Sequence, residues 1–218
     1  MKLIFPAILI GFGLIAGEGL VRAQTSDKPL PVPKAPYLAP VPDYGHWTVT
    51  LKYGEAAAAD PSSGPAKLPA SIDTIKTGEL RGVVLTYPDG TSKQFTCQGD
   101  WVLASTSKGP QLGVAGPSWT PYVYYTKGFI LFDGVTINPS TYKETAMHDG
   151  TLAFHYKSGS VDIWIDPTTM LPLAVKKPDI AAAYQFLPAP PRPFKIPEDQ
   201  AALLQKEQEA DQKIRALR

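Results

Sequence analysis

Thr151-Leu152-Ala153-Phe154-His155-Tyr156-Lys157-Ser158-Gly159-Ser160-Val161-Asp162-Ile163-Trp164-Ile165 is the stretch from which the fold is read. With Lys157-Ser158-Gly159-Ser160 as the loop, Tyr156 faces Val161, Phe154 faces Ile163 and Leu152 faces Ile165, which makes one face of six apolar residues. A slip of one residue would turn that whole face into water, so the pattern pins the register. The opposite face carries His155 across from Asp162, with Trp164 and Asp166 further along. The stretch predicts an antiparallel hairpin with one dry side and one wet side.

The same period continues outward. Trp47-Thr48-Val49-Thr50-Leu51-Lys52-Tyr53 alternates apolar and polar at every position, as a half-buried strand requires. Val83 to Tyr87 and Lys93 to Cys97 flank Pro88-Asp89-Gly90, whose residues supply the preset and positive φ angles of a reversal. Further strands are expected at Trp101–Ser105, Tyr122–Tyr125, Phe129–Phe132, Tyr142–Met147, Thr151–Tyr156, Val161–Ile165, Leu171–Val175 and Tyr184–Leu187. Short loops between them favour a meander over crossovers. The expected fold is mainly β: a single antiparallel sheet of about ten strands, curved or a half barrel, over residues 44–187.

The flanks differ in composition. Residues 1–23 read as a removable signal peptide: Met1-Lys2, fourteen residues of apolar side chains, Gly and Pro from Leu3 to Ala16, and Val21-Arg22-Ala23 before Gln24. As a helix those fourteen residues rise only about 21 Å, short of a bilayer core of about 30 Å. Cleavage would leave no transmembrane anchor, and the expected location is periplasmic or extracellular. Residues 24–43 form a Pro-rich arm, with six prolines between Pro29 and Pro42, a spacing that favours extended polyproline II. A Pro-rich linker, 188–197, reads as a spacer before a helical tail, 198–218. That tail opens with Pro197-Glu198-Asp199, a helix start, and offers a thin apolar stripe of Leu203, Ala210, Ile214 and Leu217 that could dock on a partner.

Charge and cysteine content exclude several functions. Lys2 and Arg22 of the 21 basic residues, and Glu18 of the 20 acidic ones, lie in the signal segment, so the remainder holds 19 of each and is formally neutral. Nucleic-acid binding needs a surplus of Lys and Arg, so no nucleic-acid partner is expected. Cys97 is the sole cysteine; in an alternating strand it reads as a small buried residue. One cysteine excludes iron–sulfur and Cys-zinc sites, three histidines would need carboxylate help to hold zinc, so no metal site is expected, and no glycine-rich phosphate loop implies a cofactor.

Catalytic patterns fail on spacing or context. His155 with Asp162 has the chemistry of a dyad, but no G-x-S-x-G turn supplies a nucleophile. Asp162 and Asp166, four strand residues apart, would stand about 13 Å from each other, wider than either glycosidase geometry. Ser105-Thr106-Ser107-Lys108 and Lys76-Thr77-Gly78 match two β-lactamase motifs in the reverse order. Catalytic residues are therefore expected to be none. The binding candidates are aromatic: Trp119, Tyr122, Tyr124, Tyr125 and Phe129 in a stretch broken by Gly and Pro, and Trp164, whose ring could stack on a sugar.

Ile163-Trp164-Ile165-Asp166-Pro167-Thr168-Thr169-Met170-Leu171-Pro172-Leu173 resembles a hairpin of the periplasmic lipoprotein-carrier (Lol-type half-barrel) family, in which a strand ends in Asp-Pro-x-Thr and re-enters as Leu-Pro. The resemblance covers those eleven residues; Met170 stands where a turn Gly is usual and Ala174 where a basic residue is frequent. It implies a curved sheet whose apolar concave face receives an acyl chain or lipoprotein, without catalysis. Three classes stay open: an exported non-enzymatic envelope protein that binds an apolar ligand or lipoprotein, a structural or carbohydrate-binding surface module on envelope polysaccharide, and a hydrolase.

Overall fold

The computed structural model describes residues 29–54, 68–99, 101–106, 109–114 and 128–216. They form eleven strands and one helix: β1 (Tyr44–Tyr53), β2 (Ser71–Thr77), β3 (Leu80–Thr86), β4 (Ser92–Gln98), β5 (Trp101–Thr106), β6 (Gly109–Val114), β7 (Tyr142–His148), β8 (Thr151–Ser158), β9 (Val161–Ile165), β10 (Pro172–Lys177), β11 (Ile180–Leu187) and α1 (Glu198–Ala216). All eleven strands belong to one antiparallel sheet in the order β6-β5-β4-β3-β2-β1-β11-β10-β9-β8-β7. The sheet is thus two meanders joined by the long-range pairing of β1 with β11, from His46↔Leu187 to Tyr53↔Ile180. The expected class, mainly β with one sheet and a C-terminal helix, is the observed one.

Strand alternation divides the side chains cleanly. The inner face carries Trp47, Val49, Leu51, Ile72, Val83, Leu85, Phe95, Val102, Phe154, Tyr156, Ile163, Ile165, Val175 and Tyr184, all buried in one continuous core. Cys97 is buried among them, as a small apolar residue in a strand should be. Along the middle of the other face run Thr50, Lys52, Ala183 and Gln185, which are exposed.

The β8–β9 hairpin departs from its expected register by two residues. Ser158 pairs with Val161, Tyr156 with Ile163 and Phe154 with Ile165, so the loop is Gly159-Ser160 alone. Gly159 adopts φ 61°, which starts a two-residue reversal whose twist matches the strands. A shift of two preserves the inner face, but it sets His155 opposite Trp164 and Asp162 opposite Lys157.

Other differences have local causes. β2 was not legible because Ile72 and Ile75 fall on opposite faces, while Thr74 and Lys76 take buried inner positions. β6, Gly109-Pro110-Gln111-Leu112-Gly113-Val114, hides behind Gly and Pro, which an edge strand tolerates. Phe129–Phe132 is a turn and not a strand: Gly128, Leu131 and Gly134 all take positive φ. The strand expected at Tyr122–Tyr125 lies outside the described residues.

Both Pro-rich segments are laid on the sheet. The arm crosses the inner face: Thr145 on β7 donates to the Pro31 carbonyl at 2.7 Å, Ala39 N–H to Met170 at 2.8 Å, and Gly78 N–H to Asp43 at 2.7 Å. Tyr37, Leu38 and Val41 pack on the core between those points. Segment 188–197, read as a spacer, lies instead on the outer face. Tyr44 donates to the Pro190 carbonyl, Phe194 N–H donates to Thr77 Oγ1 at 3.1 Å, and the Phe194 ring covers Gly82.

The segment delivers α1 to β5 and β6. The Pro197 carbonyl accepts the N–H of Ala201, and Glu198 and Asp199 occupy the first turn, the sign that the positive end of the dipole favours. The helix buries Gln200 and Leu204; of the expected stripe Leu203 is half-buried, Ala210 and Ile214 are exposed, and Leu217 lies outside the described residues. Thr96 and Leu103, outer-face residues of β4 and β5, are completely buried at this end of the sheet.

Gly82 tests this packing. A Cβ there would stand 2.7 Å from Phe194 Cζ, so Gly82→Ala should destabilise the chain by about 1 kcal/mol through the displaced ring. In a Phe194→Ala background the same change should be neutral or stabilising, because alanine suits a strand better than glycine. A double-mutant cycle by urea denaturation measures the coupling; additive effects would mean the segment does not rest on β3.

Candidate functional site

The structure separates the expected aromatic candidates. Phe129 lies under the inner face and Trp164 on the outer face, on opposite sides of the sheet. Trp119, Tyr122, Tyr124 and Tyr125 lie outside the described residues. Two aromatic clusters therefore stand to be weighed, one on each face.

The inner cluster follows from topology. β6 and β7 are the two edges of the sheet, so the 27 residues between Val114 and Tyr142 must pass from one edge to the other. Ten strand spacings measure about 48 Å, and 27 residues reach about 90 Å when extended. The described part of this crossing meets the inner face at its centre. Phe129 stands edge-on to Tyr184 and Phe186 at 6.1 Å and to Phe132 at 5.9 Å, and Phe186 in turn meets Trp47 at 6.2 Å. Tyr184 donates its hydroxyl to the Ile130 carbonyl. Phe129, Ile130 and Leu131 are buried, and Lys157 N–H binds the Thr141 carbonyl at 2.8 Å, fastening the end of the crossing to β8.

Beside this crossing, beneath the arm, three tyrosines meet. Tyr142 and Tyr156 stand edge-on at 5.7 Å, and Tyr37 comes from the arm. Because Thr145 Oγ1 donates to Pro31, the hydrogen bond between Tyr142 and Thr145, at 2.7 Å, must have Tyr142 as its donor. Tyr156 is completely buried, and its hydroxyl has no hydrogen-bond partner among the described residues. A buried hydroxyl without a partner costs roughly 1–3 kcal/mol. Burial first, then the neighbouring Tyr142 and Tyr37, pushes its pKa up to about 12. Nothing in the alternation of β8 distinguished Tyr156 from an ordinary core residue, so sequence reasoning passed over it.

The outer cluster is a stack. The imidazoles of His148 and His155 lie parallel to the Trp164 indole, with centroids at 4.2 and 5.2 Å and interplanar angles of 14° and 7°. Ala153, on the same face of β8 as His155, is fully buried. His155 Nε2 hydrogen-bonds Asp162 Oδ1 at 2.9 Å, diagonally across the hairpin, and Lys157 Nζ reaches Asp162 at 3.2 Å. Burial alone would raise the Asp162 pKa, but the hydrogen bonds from His155 and Lys157 and the charge of Lys157 outweigh it and hold the carboxyl low. Asp162 is thus satisfied by two partners, as a structural ion pair is. Among the described residues no three His, Cys, Asp or Glu side chains form a group able to hold a metal, and no helix is long and apolar enough to cross a membrane.

No protein-family model and no curated protein matches this chain. Among solved structures it is similar to the lipoprotein LppX of Mycobacterium tuberculosis, with a TM-score of 0.39 and 16% sequence identity over 71% of this chain and 90% of that one.

The outer cluster predicts a pH effect. A carboxyl lowered in the folded state stabilises the fold above its unfolded pKa of about 3.9, and that contribution is lost as pH falls through the lower folded value. Asp162→Asn should therefore cost about 0.5–1 kcal/mol at pH 7, in the range of a screened surface pair. The difference from the parent should shrink steadily in urea titrations as pH falls below about 4. An equal deficit at neutral and acid pH would show that the carboxylate charge is not what holds this patch.

Proposed function

We propose that this is an exported, non-enzymatic envelope protein that holds an apolar ligand between the inner face of its sheet and the segments laid over that face. One observation carries the reading: among the described residues, what lies over the apolar face is irregular chain, the arm and residues 128–141, rather than a second sheet or a row of helices. Irregular covers make few backbone hydrogen bonds among themselves and open locally at lower cost than regular elements. A face of this kind is dry and aromatic, and it can be uncovered without breaking the sheet.

The export half of the proposal rests on the N-terminal residues alone. An apolar-ligand role is also consistent with the near-neutral charge of the chain, which offers no electrostatic draw for a polyanion. The outer cluster favours neither competing class. The Trp164 ring is already stacked on histidine, which occupies ring surface that a sugar would use, and the His155–Asp162 pair adjoins no hydroxyl or thiol nucleophile in the contacts described above.

The test is ligand content and exchange. Solvent extracts of the full chain purified from its own host should yield about one apolar molecule per chain, and the emptied protein should bind the hydrocarbon fluorophore diphenylhexatriene. Tyr184→Phe leaves the buried Ile130 carbonyl without its donor, at a cost of roughly 1–3 kcal/mol. That change should loosen the crossing and speed dye exchange several-fold. A clean extract together with no dye binding would sink the proposal.

A further inference from the structure

The tyrosine group beneath the arm carries more than general apolarity. Its parts come from three places: Tyr37 from the arm, Tyr142 and Thr145 from β7, and Tyr156 from β8. Two of the hydroxyl protons are committed, Tyr142 to Thr145 and Thr145 to the Pro31 carbonyl. The relay ties the arm to the sheet and leaves the Tyr156 O–H as a buried donor on the sheet side with no acceptor among the described residues. Around it the surface is apolar: Phe154 stands 6.3 Å from Tyr142, and Ile163, paired with Tyr156, is completely buried.

We infer that the region between the arm and strands β7–β9 is a subsite for the uncharged polar end of an amphiphile, an ester or alcohol oxygen on a single apolar chain, with the Tyr156 hydroxyl as its hydrogen-bond partner. The inference rests on the apolar-ligand reading above and names the ligand class within it. The neutrality of the head follows from what surrounds the phenol. Among the described residues, what acts on Tyr156 is burial and two other tyrosines, with no cation among them, so a carboxylate brought here would lose its hydration with none of these groups to offset it. An ester or alcohol oxygen needs one hydrogen bond, and the Tyr156 O–H is the buried donor of this group with no acceptor among the described residues. The polymethylene chain of such a molecule matches the inner face, where the phenol is flanked by Phe154, Ile163 and Ile165.

The experiment is competition against bound diphenylhexatriene in the full chain and in Tyr156→Phe, with glyceryl monooleate and oleate as the two competitors at pH 8. The dye has no polar group, so both proteins should bind it equally. Monoolein should displace it from the parent well below the concentration of oleate needed, and Tyr156→Phe should require about 5- to 10-fold more monoolein, the worth of one hydrogen bond. The urea midpoint of Tyr156→Phe should equal or exceed that of the parent, because the change removes a buried hydroxyl without a partner. Equal monoolein displacement from both proteins would overturn the subsite while leaving the apolar-ligand reading standing, as would oleate competing as well as monoolein. A clear fall in the urea midpoint would show that the hydroxyl serves the fold itself and would also overturn it. Failure of the parent to bind the dye would remove the apolar-ligand reading and the subsite together.

Discussion

The structure depends on β1 pairing with β11. Eight residue pairs join Tyr53 to Ile180 at one end and His46 to Leu187 at the other, across more than a hundred residues of intervening chain. Every other strand pair in the sheet joins neighbours in chain order, so this one ladder turns two meanders into a single surface. It is also the contact with the largest loop-closure cost, which must be met before its hydrogen bonds and apolar contacts are gained. Trp47 and Phe186 meet at this seam, and Phe129 docks on the ridge they form. The joint that completes the sheet thus also makes the seat for the segment that crosses it.

That topology places the two free edges at β6 and β7, and the chain must travel between them over a face. The described part of this crossing, residues 128–141, lies on the inner face, where burial of Phe129, Ile130 and Leu131 offsets the ordering of an irregular stretch. The outer face is treated differently along its width. Its centre, with Thr50, Lys52, Ala183 and Gln185, is left to water. The β3–β6 end is covered by Phe194 and α1, and the β7–β9 end by the flat stack of His148, His155 and Trp164.

Strand alternation made most of this legible in advance, and the limits of alternation mark what was not. Period two identifies which residues share a face, so the inner set of Phe154, Tyr156, Ile163 and Ile165 was recoverable from sequence. The same period cannot distinguish registers that differ by two, which is why His155 was set against Asp162 when its cross-strand neighbour is Trp164. β2 escaped because Thr74 and Lys76 are buried; Lys76 tolerates this by reaching Asp43 at 2.9 Å. Phe129–Phe132 has the composition of a strand, yet Leu131 at φ 67° breaks it, and no local pattern announces a leucine in that conformation. The candidate site was less legible than the fold. Phe129 stands out in the sequence by aromatic density, and the structure shows it buried beneath the inner face, whereas Tyr156 stands out only through the commitments of Tyr142, Thr145 and Pro31, which are contacts and not patterns.

The covers over the inner face are fastened at separated points. The arm is held by Thr145 to Pro31, by Ala39 to Met170, and by Gly78 and Lys76 to Asp43, and the crossing by Tyr184 to Ile130. Between those points Tyr37, Leu38 and Val41 have side-chain packing on the core. Packing of this kind is non-directional, and its loss is offset by any apolar surface of similar area that takes the same place. A hydrogen bond offers no such freedom, since a buried partner left behind pays the full desolvation penalty. On the proposed apolar-ligand reading, the stretch between Pro31 and Ala39 is therefore where a guest would replace host contacts at least cost, and the Tyr156 hydroxyl, which has no partner among the described residues, lies beneath it.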